Sequence, residues 1–334
     1  MRTRPVDLSD AQLADAVASG WGLTVDATAY VPVGFGSHHW WVGSGDGRWF
    51  VTLDDLATKK RHPAEQLTEP RRRLAAALWT ARSLRDAGCD FVVAPRLTTT
   101  GDVLSGIDGR FVAALYPRID GETYGWGPYR SRTDRLAALE LIAAVHTALP
   151  AAPLTTLVDD FVIPDRQGLQ NALAAGSSGW DSGPFGEPTR ILLQRHRTAV
   201  VQLLERYDRL AYAVAPGLGR MVVTHGEPHQ GNTIGTTDGM VLVDWDTALL
   251  APPERDLWAL AAEDPEILGD YTARTGITID DDALELYRLR WDLADIATFV
   301  AEFREPHTET ADTALAWEAL TQCVDPTRWS AGSG

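Results

Sequence analysis

Apolar positions recur at helical spacing along residues 10 to 18, just behind Ser9, a residue type suited to an N-cap. The pattern predicts a short opening helix. Strand-like runs follow at residues 30 to 33, 39 to 42 and 49 to 53, separated by Gly34-Phe35-Gly36 and by the turn-forming stretch 43 to 47. Residues 69 to 87 carry an amphipathic helical pattern closed by Gly88, and apolar runs at 91 to 94, 103 to 104 and 110 to 116 complete the strand pattern. Past the turn residues 116 to 121 the periodicity becomes helical, at 134 to 149, 189 to 213, 256 to 262 and 281 to 304. The Gly-, Ser- and Pro-rich stretch 176 to 188 reads as a surface connection, residues 331 to 334 read as a loose tail, and no tandem repeat is visible. The order predicts an α+β chain with a β-rich part over residues 1 to 116 and a mainly helical part over 117 to 330.

Between the helical stretches lies the densest group of chemically capable residues. His225, Glu227 and Asn232 form one polar island, and Asp244 and Asp246 form a second. Apolar runs at 221 to 224 and 240 to 243 read as buried strands with a turn at 236 to 239 between them, which predicts a single hairpin presenting both islands. A carboxylate that accepts a hydrogen bond from a hydroxyl, beside hard oxygen ligands, is the inventory of magnesium-dependent phosphoryl transfer.

Composition narrows the partners. A chain of 334 residues with 45% hydrophobic and 23% charged positions can bury a large core. Its formal net charge of −16 argues against nucleic acid or an anionic membrane surface as partner and favours a cationic or neutral small ligand. Two cysteines far apart, Cys89 and Cys323, suit a reducing compartment better than a disulfide framework. With neither a signal-peptide pattern nor a spanning apolar run, the expected location is cytoplasmic.

The run HGEPHQGN, the block VDWD and the later LAPPERDLW resemble the catalytic segment of the aminoglycoside phosphotransferase family, and the last is similar to the spectinomycin phosphotransferase branch. The resemblance implies a bilobal protein-kinase-like fold, with a small β-rich N-terminal lobe that binds the nucleotide and a larger, mainly helical C-terminal lobe that carries catalysis and the acceptor. It implies transfer of the γ-phosphate of ATP or GTP, with Mg2+, to a hydroxyl of a small molecule, with an aminocyclitol or aminoglycoside as the first expectation. Glu227 stands where the family has its catalytic Asp, Asn232 and Asp244 match its metal ligands, and His225 matches the histidine that braces the loop. Asp246 is open between supporting the metal and capping a turn, and Arg255 with Asp256 fits a brace behind the loop. His229 has no zinc-ligand partners at suitable spacing.

For the nucleotide, the resemblance points to Gly34, Gly36 and Ser37 as a loop over the phosphates and to Tyr116 and Ile119 as the adenine hinge. Thr52 stands where the family has its phosphate-binding lysine. Lys59 and Lys60 are the only lysines, so one of them is expected to take over that contact, the alternative being a solvated basic turn. For the acceptor, Glu263, Asp264, Trp291, Asp292 and Asp295 are the candidates. The substitutions at Thr52 and Glu227 keep open a pseudokinase that binds nucleotide without transfer, and a kinase for a natural-product intermediate or peptide hydroxyl is the third reading.

Overall fold

A computed structural model of the chain describes residues 1–148, 156–174, 179–215 and 218–330. In chain order the elements are α1 (Asp10–Trp21), β1 (Val25–Val31), β2 (His38–Ser44), β3 (Gly47–Asp55), α2 (Thr68–Asp86), β4 (Ser105–Ile107), β5 (Phe111–Pro117), β6 (Glu122–Thr123), α3 (Arg132–Thr147), α4 (Arg166–Ala174) and α5 (Gly186–Val214). They continue with β7 (Val222–Thr224), β8 (Thr233–Thr236), β9 (Gly239–Leu242), β10 (Leu249–Ala251), α6 (Glu254–Ala261), α7 (Ile267–Thr275), α8 (Asp281–Arg304), α9 (Ala311–Cys323) and α10 (Thr327–Ser330). The chain forms two compact units, one of Met1–Lys59, Gln66–Asp159 and Leu218–Ile279, the other of Lys60–Glu65, Asp160–Gly217 and Asp280–Gly334. The first unit runs without a break past residue 116.

In the first unit, a five-stranded sheet of order β1-β2-β3-β5-β4 is antiparallel throughout. Successive side chains of a strand point to opposite faces. Val51, Leu53, Ala113 and Leu115 therefore face one way, where they pack with Leu13, Val17 and Trp21 of α1. Val112 and Ala114 face the other way, against Leu74 and Leu78 of α2. Each buried Val or Leu contributes roughly 1.5–3 kcal/mol. The predicted Ser9 cap is present as a capping box with Gln12, which satisfies otherwise orphaned N–H groups at the start of α1.

The strand expectations need three corrections. Residues 91 to 94 form no strand: Val92 makes one isolated parallel bridge to Leu242, with Pro95 close behind. Val103 and Leu104 are buried plugs under α2, and β4 starts one residue later. The single hairpin expected from 221 to 243 does not form. β7 pairs with β10, β9 pairs with β8, and the turn at 236 to 239 closes that second pair instead. Thr233–Thr236 contains Gly235 and only one large apolar residue, so its strand character is invisible to an apolar pattern.

The second unit is helical. Leu169, Leu193, Leu203, Leu286, Leu293 and Phe303 belong to its core, supplied by α4, α5 and α8, while α9 adds Ala316 and Leu320. Helix α8 spans the predicted residues 281 to 304, capped by Asp280 accepting from Asp282 and Ala283 N–H. Four short helices were not expected: α4 contains Gly168, α9 starts with a Thr310–Thr313 box that lacks the acidic third position, α10 is four residues long, and α7, in the first unit, is nine residues long. The connection expected at 176 to 188 is shortened by α5 starting at Gly186. Its residues 176 to 178, Leu149 of the predicted third helix and the tail 331 to 334 lie outside the described residues. Among the described residues no helix is long and apolar enough to cross a membrane.

Candidate active site

The turn after β7 is locked before any chemistry is considered. Asp256, at the start of α6 and fully buried, accepts from His225 N–H at 2.8 Å and Gly226 N–H at 2.6 Å. Its second partner is His146 of α3, Nε2 at 3.1 Å, itself held by the Tyr271 hydroxyl at 2.8 Å. Burial disfavours its charge, but the His146 hydrogen bond and the fields of His146 and Arg255 outweigh that and keep the pKa below the usual carboxylate range. Arg255 donates to Thr224 Oγ1 and to the Thr247 carbonyl, each at 2.8 Å. Its guanidinium fills the space where a Cβ on residue 226 would sit, 2.3 Å from the nearest nitrogen. Gly226 has φ +100°, so a glycine is required there on both counts.

His225 is fully buried, packed at a tilt against Trp245 with ring centroids 4.6 Å apart, and hydrogen-bonds through Nε2 to the Val243 carbonyl at 2.8 Å. Its Nδ1 accepts from Glu227 N–H at 3.2 Å. Those two partners specify the Nε2–H tautomer, and burial lowers the pKa, so the ring is neutral. It ties the loop that carries Glu227 to the strand end that precedes Asp244.

The predicted acid, amide and second acid come together through this bracing. Asn232 Nδ2 donates to the Glu227 carbonyl at 2.9 Å, and Val243 N–H donates to the Asn232 carbonyl at 3.0 Å. Asp244 follows immediately with φ +64°, a left-handed conformation that turns its carboxylate out of the strand path. Its side chain is open to solvent yet surrounded by protein. Desolvation by those surroundings, then Asp246 and Glu227, push its pKa well up, with Lys59 in partial opposition. The Glu227 side chain is about a third exposed, with Oε2 4.0 Å from His229 Nε2.

Of the two lysines, Lys59 lies among the acids. Its ammonium bridges Asp54 at 2.9 Å and Asp246 at 2.9 Å and reaches Ser37 Oγ at 3.4 Å. Burial alone would lower its pKa, but the Asp246 and Asp54 carboxylates outweigh that and raise it well above the ordinary lysine value. Ser37 donates to Asp54 at 2.6 Å, and a Cβ on Gly36 would lie 3.9 Å from Lys59 Nζ, so the glycine loop, the serine and the lysine are one cluster. Gly34 and Gly36 have φ +75° and +84°. Arg73 of α2 holds the Lys59 carbonyl at 2.9 Å. Lys60 is placed in the other unit, with Nζ 3.5 Å from the Pro63 carbonyl.

Tyr116 shares a sheet face with Thr52, which lies within hydrogen-bond reach, and burial followed by the fields of Asp244, Asp54 and Asp246 raises its phenol pKa well above the ordinary value. The ring therefore looks toward the acids. Ile119 lies half-buried just beyond β5. Asp54 escaped sequence reasoning, although its period-2 relation to Thr52 puts it on the same face and could have flagged it. His146 had no local signal.

The acceptor candidates are distributed over both units. In the first, Glu263 pairs with Arg135 at 2.6 Å and Asp264 with Arg132 at 2.8 Å. In the second, Asp292 is buried between Arg328 and the Trp329 indole, both at 3.1 Å, and Asp295 lies against Cys323 Sγ at 3.7 Å. Trp291 is half-buried on α8.

Among the described residues no group of three or more His, Cys, Asp or Glu forms a metal cage. Mg2+ needs none, since it is usually held by one or two protein oxygens together with phosphate and water. The residues fit that role: the Asn232 amide is oriented by its Nδ2 bond, Asp244 is solvent-accessible, and the crowding of Asp244, Asp246 and Glu227 is the charge a divalent cation offsets.

Residues 29–294 match a family model described as "APH: Phosphotransferase enzyme family". Protein StrN of Streptomyces griseus is 30% identical over 252 residues, covering 73% of this chain and 75% of StrN. The spectinomycin phosphotransferase APH(9)-Ia, solved with ADP and spectinomycin, superposes with a TM-score of 0.72 at 17% identity, covering 97% of this chain and 98% of that one. The amicoumacin kinase hAmiN, solved with AMP-PNP, Ca2+ and Ami, gives a TM-score of 0.54 at 11% identity over 95% and 93% of the two chains.

Proposed function

Because the chain belongs to this phosphotransferase enzyme family and has its kinase-like fold, we propose that it moves the γ-phosphate of ATP, with Mg2+, to a hydroxyl of a small cyclic amino alcohol, an aminocyclitol or aminoglycoside. One observation supports this most directly: Glu227, Asn232 and Asp244, separated by up to 17 positions in sequence, are tied together by the Asn232–Glu227 and Val243–Asn232 hydrogen bonds. The complexes of APH(9)-Ia and hAmiN, with ADP and AMP-PNP, favour an adenine nucleotide.

In this reading, Glu227 accepts the hydrogen bond of the attacking hydroxyl and takes its proton as the new O–P bond forms and the bond from the γ-phosphorus to the β,γ-bridging oxygen breaks, releasing ADP. The His225 and Asn232 bonds to the Glu227 main chain hold the carboxylate ready, so little reorganisation is needed at the moment of transfer. Asn232 and Asp244 would hold the Mg2+, which supplies charge neutralisation on the transferring phosphoryl group. Lys59, presented by the Asp54–Asp246 pair beside the glycine loop, meets the phosphates in place of the lysine missing at Thr52. Tyr116 and Ile119 border the adenine. A phosphorylated antibiotic would make this a resistance determinant, and the two free cysteines favour a reducing cytoplasm.

The test is incubation of the full chain with γ-labelled ATP and Mg2+ against a panel including spectinomycin and hygromycin B. Transfer lost in Glu227→Gln supports the proposal. Nucleotide binding without transfer to any hydroxyl would favour the binding-module reading instead.

A further inference from the structure

Of the twelve tryptophans in the chain, only Trp126 is exposed, with 72% of its surface open. Its position is fixed from both sides. Ahead of it, β6 pairs Glu122 with Gly235 and Thr123 with Ile234, in a contact so close that a Cβ on Gly121 would lie 2.5 Å from the Gly235 carbonyl oxygen. Behind it, the Tyr129 hydroxyl donates to the Pro228 carbonyl at 2.8 Å and Arg130 N–H donates to Gln230 Oε1 at 2.7 Å. The segment between these anchors therefore lies along the loop that carries Glu227. Gly231 makes the approach possible, since a Cβ there would be 3.1 Å from the His229 ring and 3.3 Å from Trp126 N. The Trp126 ring meets His229 edge-on at 6.5 Å, and His229 Nε2 is 4.0 Å from Glu227 Oε2.

An indole in that position has a specific use. A large aromatic surface left in water forgoes hydrophobic stabilisation, whereas the faces of the ring attract the C–H bonds of a saturated ring and the charge of an ammonium group. His229 is the spacer between the indole and the Glu227 carboxylate. Its Nδ1 is buried with no hydrogen-bond partner, so the imidazole holds position by packing and leaves the carboxylate beyond it undisturbed. A saturated ring bearing hydroxyl and amino substituents can lie on the indole with one hydroxyl directed along His229 toward Glu227. A short acyclic amino alcohol has no ring face to offer.

We propose that Trp126 is the acceptor platform, a substrate-contacting residue that selects a saturated, amino-substituted polyhydroxylated ring and presents its hydroxyl to Glu227. This rests on the phosphotransferase reading above. Steady-state transfer from ATP is measured for wild type, Trp126→Ala and Trp126→Phe with spectinomycin, hygromycin B, 2-deoxystreptamine and, as the acyclic comparison, ethanolamine, with ATP affinity determined separately by calorimetry.

The expected result is transfer to at least one of the ring acceptors, an acceptor KM raised about tenfold or more in Trp126→Ala with partial recovery in Trp126→Phe, and ATP affinity held within about twofold. A ring acceptor whose KM is unmoved in Trp126→Ala overturns the platform and leaves the phosphotransferase reading standing. So does a loss that falls on ATP affinity, or transfer to ethanolamine alone. ATP bound by wild type with no transfer to any of the four compounds overturns both.

Discussion

Replacing Lys59 by Met tests the assignment of the phosphate-binding cation most directly. The side chain keeps its length and loses its charge. Lys59 is about a quarter exposed, Asp54 is 3% exposed, and both lysine–carboxylate contacts are 2.9 Å. Breaking a fully buried pair costs roughly 3–5 kcal/mol, because the remaining charge is left without a partner, and the partial exposure here reduces that to about 2–3 kcal/mol. The nucleotide-free chain should then melt roughly 3–6 °C lower. A charge-assisted hydrogen bond to phosphate is worth about 1.5–3 kcal/mol, so ATP affinity should fall about 10- to 100-fold. Calorimetric titration with Mg·ATP reads the second effect independently of the first. Lys60→Met is the matched control, with the same charge removed one residue away and affinity expected within about twofold. If Lys59→Met bound Mg·ATP as wild type does while Lys60→Met lost it, the assignment would be wrong and the Asp54–Lys59–Asp246 bridge would be only a structural ion pair.

Glu227→Gln should lower kcat by about 100- to 10,000-fold with ATP affinity unchanged, the signature of a lost proton acceptor; a kcat within tenfold of wild type would refute the role. Gly226→Ala should destabilise the first unit by about 2–4 kcal/mol through a positive φ and a clash with Arg255, read by thermal denaturation against Gly239→Ala, where φ is also positive and no atom is near. In the second unit, burial and then Asp292 push Asp295 to about 7, above its ordinary value, so the folded form binds the extra proton between about pH 4 and 7 and stability falls as pH rises through that window. Asp295→Asn should therefore be the more stable protein at pH 8, by up to about 3 kcal/mol, with the advantage gone near pH 4. Removal of Mg2+ with EDTA should weaken ATP binding at least about tenfold, because the triphosphate would then face the uncompensated field of Asp244, Asp246 and Glu227; equal affinity with and without metal would count against Asn232 and Asp244 as ligands.

The legible parts of the fold were those with long periodic patterns. Helix α8 coincides with its expected span because a 24-residue amphipathic run with an Asp280 cap leaves little else for the chain to do. Strand pairing was less legible. Apolar runs at 221 to 224 and 240 to 243 show that two strands exist, and nothing in either says that β7 will choose β10 and β9 will choose β8. Pairing is decided by segments as short as Leu249–Ala251, where a three-residue pattern has no statistical weight. The same holds for the site. Glu227, Asn232 and Asp244 stood out because chemistry-bearing types cluster there, whereas His146 lies 110 residues from its partner Asp256 and shows nothing locally.

The position of the lysine follows from where the acids are. On β3 the side chains of Thr52 and Asp54 share one face, and a lysine at 52 would sit in the strand with its stem pinned between β2 and β5. At 59 the ammonium arrives from the turn after the strand, its carbonyl held by Arg73 of α2 and its charge shared by Asp54 and Asp246. The cation is thus anchored to the sheet through Asp54 and to the loop beside Asp244 through Asp246. The strand that carries Thr52 also carries the Asp54 carboxylate that holds Lys59. Thr52 meets the Tyr116 phenol on that face, and in the proposed reading the positive charge it lacks is delivered to the same acids from seven residues downstream.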